Sequence, residues 1–150
     1  MFSLKDRLKE ILIGSNVIKQ EEFDQALEEY KASGGEFGQI LVQRRLMSEE
    51  HLKLLLSEGL NLHPVDIMRL KINPDVIRGF PQEFAVKYQM IPISKAKDHL
   101  TLAMSDPLNI FAIEDLDVLK GVKITPILSH PKDIAQALEK HYPGGSVTKL

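Results

Sequence analysis

The stretch "FGQILVQRRLMSEEHLKLLLSE" (37–58) repeats the apolar pattern of an earlier stretch, "LKEILIGSNVIKQEEFDQALEE" (8–29). A shift of 29 positions, which carries Leu8 onto Phe37, superposes the two without a gap. Apolar residues then coincide along the whole length: Leu8 with Phe37, Leu12 with Leu41, Ile18 with Met47, Phe23 with Leu52 and Leu27 with Leu56. The pattern indicates a duplicated structural unit.

Each copy predicts two helices joined by a turn. In the first copy Leu8, Ile11 and Leu12 have helical spacing, "GSN" (14–16) interrupts it, and Phe23, Ala26 and Leu27 resume it. A short helical hairpin cannot hide its own apolar stripe, whereas two hairpins packed together can. We therefore predict a duplicated helical-hairpin subdomain of about four helices over residues 1–60, with "ASGGE" (32–36) as the joint between its copies.

The second half predicts a small sheet with covering helices. Strands are predicted for "MIPIS" (90–94), "LTLAM" (100–104) and "VKITPIL" (122–128), with "KAKD" (95–98) as a hairpin turn. Pro92 and Pro126 place their strands at sheet edges or at bulges. Helices are predicted from Asn73, from Pro81, from Asp106 to a terminating Gly121, and from "HPKDIAQALEKHY" (130–142). The fold class is thus α+β, with an α+β sandwich over 61–143 and a flexible tail or linker stub over 144–150.

Composition is that of a soluble globular protein. The 150 residues carry a net charge of −2, with 43% apolar and 27% charged residues and no cysteine. A protein that binds nucleic acid usually has a basic face, so the charge argues against that partner. The charged start "MFSLKDRLKE" (1–10) and the lack of an apolar run near the roughly 20 residues of a membrane helix favour a cytoplasmic protein. Any membrane association is expected through a partner only, and the oligomeric state stays open.

No stretch of the sequence has the pattern of a catalytic or metal site. There is no G-x-x-x-x-G-K-[ST] phosphate loop and no G-x-S-x-G elbow, and the five histidines lack ligand spacing. "MSDPLN" (104–109) places an acid after a strand, but aspartate before proline at such a junction is ordinary helix capping. We therefore predict no catalysis and no metal.

The run "MIPISKAKDHLTLAMSDPLNIFAIEDL" (90–116), together with the repeated hairpin, resembles the N-terminal domain of type II secretion and type IV pilus assembly ATPases. The family pattern is a proline in a strand and then L-x-x-A-x-x-D-P-x-N, carried here by Pro92, Leu100, Ala103, Asp106, Pro107 and Asn109. Family members often have L-x-V-A where this chain has "LTLA". The resemblance implies a non-catalytic cytoplasmic docking or regulatory module, without a cofactor. It would bind a cytoplasmic part of the inner-membrane assembly platform or the motor.

One branch of that family binds cyclic di-GMP through repeats that read approximately R-L-G-x-x-L-L-x-x-G-x-I-x-x-x-x-L-x-x-A-L-x-x-Q. The first copy keeps Arg7, Leu8, Leu12, Ile13, Ile18, Ala26 and Leu27, and the second keeps Gly38, Leu41, Val42, Leu52 and Leu56. The departures in the first copy are Lys9 and Asn16 for glycines, Phe23 for leucine and Tyr30 for glutamine. Those in the second are Glu36 for arginine, Phe37 for leucine, Arg45 for the second glycine and Gly59 for glutamine.

These departures predict a retained fold with a weakened ligand site. A side chain in place of glycine obstructs close approach of a ligand to the backbone, and Glu36 repels a phosphate, although Lys9 and Arg45 restore positive charge. The resemblance makes the candidate nucleotide-binding residues Arg7, Leu8, Leu12, Ile18, Gly38, Leu41 and Leu52. The alternative function is accordingly a cyclic di-GMP sensor. Arg44 and Arg45 are candidates for pairing with an acidic protein partner, or else form a solvated charged turn.

Overall fold

The duplicated segment forms four helices, two in each copy: α1 (Leu4–Gly14), α2 (Gln20–Ser33), α3 (Phe37–Gln43) and α4 (Glu49–Leu60). α3 ends 29 positions after α1, and α4 begins 29 positions after α2, so the two copies place their turns identically. α3 is shorter than α1, because it begins later in the aligned repeat. Gly34 and Gly35, with φ of 77° and 84°, end α2 in a backbone conformation that glycine adopts without strain. The predicted four helices are confirmed.

The computed structural model describes residues 4–14, 18–60, 64–113, 116 and 119–142. The chain divides into two units, one of Met1–Leu62 with Leu108–Glu114 and one of His63–Pro107 with Asp115–Leu150. Residues 108–114, which the sequence-based boundary assigns to the second subdomain, thus belong to the first unit. They include α7 (Ile110–Ile113), whose Ile110, Phe111 and Ile113 are buried. The tail predicted over 144–150 lies outside the described residues.

The second unit contains a three-stranded sheet in the order β1-β2-β3, which confirms the predicted number of strands. Its elements are α5 (Pro74–Gly79), α6 (Gln82–Tyr88), β1 (Met90–Ala96), β2 (His99–Met104), β3 (Lys123–Leu128) and α8 (Pro131–His141). β1 pairs antiparallel with β2, and β3 pairs parallel with β2. The hairpin turn is shorter than predicted from "KAKD", because Lys95 and Ala96 still pair with Leu100 and His99.

Both prolines of the sheet lie in outer strands, as the sequence predicts. Pro92 lies in β1 and Pro126 in β3, and neither strand is the central one. The register of β1 shifts between Pro92 and Ser94, which makes Ile93 a bulge residue. The Ile93 carbonyl accepts a hydrogen bond from the Asn73 amide at 3.1 Å, and the Asn73 side chain caps α5 through the Asp75 amide. Pro81, in contrast, is the residue before α6, one position earlier than expected.

Each unit has its own apolar core. In the first unit the largest fully buried side chains include Phe23, Tyr30, Phe37 and Phe111. In the second, β1 and β2 contribute Ile91 and Leu102, and α8 contributes Ile134, all with no exposed surface. No helix within the described ranges is long and apolar enough to cross a membrane.

Candidate functional site

Arg7, the arginine of the first repeat motif, is bound to the other copy of the repeat. Its Nε and Nη2 donate to the Gly59 carbonyl at 3.2 and 2.9 Å. Gly59 lies in the last turn of α4, where carbonyls lack partners within the helix and where a cation is favoured by the helix dipole. Arg7 therefore caps α4 across 52 positions of sequence.

Gly59 takes the place of the glutamine in the ligand pattern, and Ile11 fills the space beside it. A Cβ atom at position 59 would lie 2.6 Å from Ile11 Cδ1 and 2.7 Å from Ile11 Cγ1. Real Cβ atoms are not found at such distances, so α1 packs against α4 at the closest approach that a glycine permits. The position that should carry a ligand-binding side chain is instead a helix contact.

This contact predicts opposite effects of one substitution in two backgrounds. Gly59→Ala alone should lower the free energy of unfolding by about 1 kcal/mol. Overpacking against Ile11 costs about 1–3 kcal/mol, and the higher helix propensity of alanine than of glycine offsets about 1 kcal/mol of that cost. In an Ile11→Ala background the same change should raise it by about 0.5–1 kcal/mol, since only the propensity gain remains. Urea unfolding of the four proteins in this cycle measures both. Stabilisation of equal size in both backgrounds would contradict the close contact.

Tyr30, which replaces the glutamine of the first copy, is a core residue. It is 2% exposed, and its ring stacks on Phe37 with centroids 5.3 Å apart and an interplanar angle of 24°. Its hydroxyl donates to Asn109 Oδ1 at 3.0 Å. Asn109 is the last residue of the D-P-x-N motif, and its contact with Tyr30 is visible only in the structure. The hydrogen bond joins Asn109 to α2, and burial leaves the Tyr30 side chain almost no surface for a ligand.

Phe37 is the centre of an aromatic cluster in the first unit. Besides stacking on Tyr30, it meets Phe23 and Phe111 edge to face, with centroid distances of 5.7 and 5.4 Å. Phe23 also meets Phe111 edge to face at 5.6 Å. Both Phe23 and Phe37 occupy leucine positions of the ligand pattern. The larger rings fill the centre of the repeat.

Most of the remaining candidate nucleotide-binding residues lie in this core. Five apolar candidates are at most 6% exposed: Leu8, Leu12, Ile18, Leu41 and Leu52. Gly38 is half-buried, and a Cβ there would lie 3.1 Å from Leu52 Cδ2. These positions hold the repeat together, and a role for them in nucleotide binding stays a prediction.

The charged candidates differ in what they contact. Arg44 Nε lies 2.7 Å from Glu29 Oε1, so it is paired within the chain. Arg45 is exposed and has a φ of 61°, the left-handed conformation that makes glycine the natural residue at this position of the pattern. The Lys9 ammonium lies 5.9 Å from the Phe23 ring centroid, a cation–π contact. Glu36 is exposed just before α3. Asn16 lies outside the described residues.

Residues 59–148, more than half of the chain, match the model of the MshEN domain. The chain belongs to the MshEN domain family. The family resemblance inferred from residues 90–116 and the repeated hairpin is therefore confirmed. Within the described ranges, no group of three or more His, Cys, Asp or Glu side chains could hold a metal ion.

Two curated relatives of this MshEN domain are type IV pilus assembly ATPases. The chain is 32% identical over 139 residues to PilB of Myxococcus xanthus, and this alignment covers 93% of the chain and 25% of PilB. It is 27% identical over 139 residues to PilB of Thermus thermophilus, and this alignment covers 91% of the chain and 16% of that PilB. The chain thus spans a quarter or less of the length of these relatives.

Two solved structures share the fold of this MshEN domain. A structure of MshE with cdg (cyclic di-GMP) aligns with a TM-score of 0.53 at 25% identity and covers 95% of this chain and 100% of that one. The N-terminal domain of XpsE aligns with a TM-score of 0.50 at 21% identity and covers 93% and 97%. The second likeness shows the fold alone.

Proposed function

We propose that this MshEN domain is a non-catalytic cytoplasmic docking and regulatory module of a type II secretion or type IV pilus ATPase. It binds a protein, a cytoplasmic part of the inner-membrane assembly platform or of the motor. One observation carries the proposal. Several residues at the ligand-motif positions make contacts within the chain instead, since Arg7 caps α4 at the Gly59 carbonyl, Gly59 packs against Ile11 and Tyr30 is buried.

The identity to two PilB ATPases supports the setting of this proposal. The chain corresponds to a quarter or less of those proteins, so its work is proposed as binding rather than nucleotide hydrolysis. The cyclic di-GMP site is, in this proposal, an ancestral feature whose fold remains.

The second candidate function is cyclic di-GMP sensing, and the likeness to MshE with cdg favours it. The surface positions of the motif still contain Arg7 and Arg45, each of which could pair with a phosphate. Two features oppose it. Glu36 carries the wrong charge for a phosphate, and Arg7 would have to leave the Gly59 carbonyl.

Titration calorimetry with cyclic di-GMP separates the two candidates. We expect no saturable micromolar binding by the wild-type chain and a gain of binding in Glu36→Arg/Arg45→Gly, which restores the motif at two exposed positions. Arg7→Ala in the restored protein should abolish that gain. Because a binding enthalpy near zero is silent in calorimetry, a thermal-shift measurement accompanies each titration. Micromolar binding by the wild-type chain that Arg7→Ala removes would make the domain a sensor.

Co-sedimentation with inner-membrane vesicles tests docking directly. Vesicles from cells that carry the assembly platform should retain the chain, whereas vesicles from cells without the platform genes should not. Equal retention by both would mean that lipid, not a platform protein, holds the domain. Retention by neither would remove the docking proposal.

A further inference from the structure

The second unit contains a groove between α5 and the β1–β2 hairpin. Its cavity volume is about 390 Å³, and its floor is apolar, formed by Val76, Phe80, Leu100 and Val122. Phe80 and Leu100 are 4% and 5% exposed, whereas Val76 and Val122 are half-buried and face the opening. This volume is within the roughly 300–1,000 Å³ of ordinary ligand pockets, so a large side chain could enter it.

The groove follows from the bulge in β1. The Asn73 amide donates to the bulged Ile93 carbonyl and fixes the start of α5 at that point of the strand. Beyond it Ser94, Lys95 and Ala96 are exposed, and β1 is an edge strand of the described sheet. Gly79 lines the groove with no atom within 4 Å of where its Cβ would be, so α5 leaves that space open.

Positive charge lies at the mouth of the groove. Lys95 and Lys97 line it, and both are exposed. Within the part of the chain that the structure describes, neither ammonium group has a carboxylate partner. Asp75 also lines the groove, where its carboxylate pairs with Arg78, and the Asp98 carboxylate lies 3.0 Å from His99 Nδ1.

We infer that this groove binds an acidic, extended segment of a protein partner. One apolar side chain of the segment occupies the floor, and its carboxylates pair with Lys95 and Lys97. The exposed end of β1 offers backbone groups of the kind that extended peptides use when they dock beside a sheet edge. This inference rests on the docking role proposed above. It specifies the groove as the surface that binds the partner and an acidic, extended segment as the part of the partner that is bound.

A fluorescein-labelled peptide, in which one phenylalanine is flanked on each side by two acidic residues, is the direct probe. We expect saturable binding to the whole chain by fluorescence anisotropy, weakening as salt screens the lysines. Replacing the phenylalanine by serine, or the acids by lysine, should each weaken binding about tenfold or more, because each removes one half of the proposed contact. Equal binding of all three peptides would overturn the inference.

Two double variants keep the test matched in charge. Lys95→Gln/Lys97→Gln should weaken binding of the acidic peptide about tenfold or more, whereas Lys132→Gln/Lys140→Gln, which removes two exposed lysines of α8, should change it less than about twofold. Val122→Trp fills the opening and should also block the peptide. Equal loss in both double variants would show attraction by net charge only. Tighter binding of ATP than of the peptide at the same lysines would identify a small anion as the occupant, and either result overturns the inference.

The vesicle assay distinguishes failure of this inference from failure of the docking proposal. Retention of wild type that Lys95→Gln/Lys97→Gln abolishes supports both. Retention that the double variant leaves unchanged supports docking and overturns the groove as the surface used. Saturable binding of the acidic peptide without retention by platform vesicles keeps the groove and overturns the platform as its partner.

Discussion

Replacement of Phe37 by alanine is expected to lower the free energy of unfolding by about 3–5 kcal/mol, the usual cost of removing a buried aromatic ring. Phe37 has no exposed surface and contacts three other aromatic rings, those of Phe23, Tyr30 and Phe111. Its loss therefore removes apolar burial and three ring contacts together and leaves a cavity in the middle of the repeat. Urea unfolding followed by circular dichroism measures the change.

Two further variants control the Phe37 experiment. Phe37→Leu restores the residue of the ligand pattern and should cost less, about 1–2 kcal/mol, because leucine retains most of the apolar volume. Leu54→Ala should change stability by no more than about 0.5 kcal/mol, since Leu54 is 53% exposed. A cost below about 1 kcal/mol for Phe37→Ala would show that the aromatic cluster is not the centre of the first unit's core.

Tyr142 should make the stability of the second unit depend on pH in the alkaline range. Its hydroxyl donates to the carbonyls of Ile77 and Phe80, at 3.0 and 3.3 Å, and only 7% of the residue is exposed. Burial disfavours the phenolate and raises the pKa of Tyr142 from 10.0 to about 12. Because the folded-state pKa is the higher one, the stabilisation is complete below pH 10 and is lost as the pH rises from 10 to about 12.

Comparison with Tyr142→Phe isolates this effect. At neutral pH the variant should be less stable by about 1 kcal/mol, the usual net value of a hydrogen bond. Toward pH 12 the wild type should lose about 2–3 kcal/mol that phenylalanine cannot lose, so the two stability curves should cross. Urea unfolding at a series of pH values gives the curves, and absorbance at the tyrosinate band reports ionisation. Parallel curves up to pH 12 would contradict a buried, neutral Tyr142.

Residues of the repeat show how much of the candidate site could be predicted from the sequence. The repeat register identified Phe37 and Tyr30 as departures from a ligand motif, and the structure shows both in the core. Position 45 needs glycine-like backbone freedom, as its φ of 61° shows, and a motif comparison alone cannot separate that need from ligand contact. The side chain of Arg44 pairs with Glu29 within the chain, and its binding of an acidic partner stays a prediction.

The groove of the second unit could not be predicted from the sequence, because its lining residues are far apart in the chain. Val76, Leu100 and Val122 are far apart in the chain, and only the packing of α5 on the hairpin brings them together. The sequence predicts a polar turn at Lys95 and Lys97. The structure confirms the turn for Lys97, whereas Lys95 belongs to β1. The sequence signals that bear on the groove are the Asn73-Pro74 cap and Pro92 in β1, since the Asn73 amide donates to the carbonyl of Ile93, the bulge residue after Pro92.

The sequence by itself determined most of the local elements of this protein. The helix predicted from Asp106 to Gly121 is wrong in extent, because among the described residues Pro107–Asn109 forms a 3-10 turn, only Ile110–Ile113 is α-helical and Leu116 is not helical. Apolar periodicity, caps and prolines act over a few residues, so they specified the four helices of the repeat and the outer position of the strands that contain Pro92 and Pro126. The tertiary structure alone decided what the charged and aromatic side chains contact. Arg7 reaches the Gly59 carbonyl 52 positions away, and Tyr30 reaches Asn109 79 positions away. Such contacts depend on how whole helices pack against one another, and packing is a property of all their side chains together.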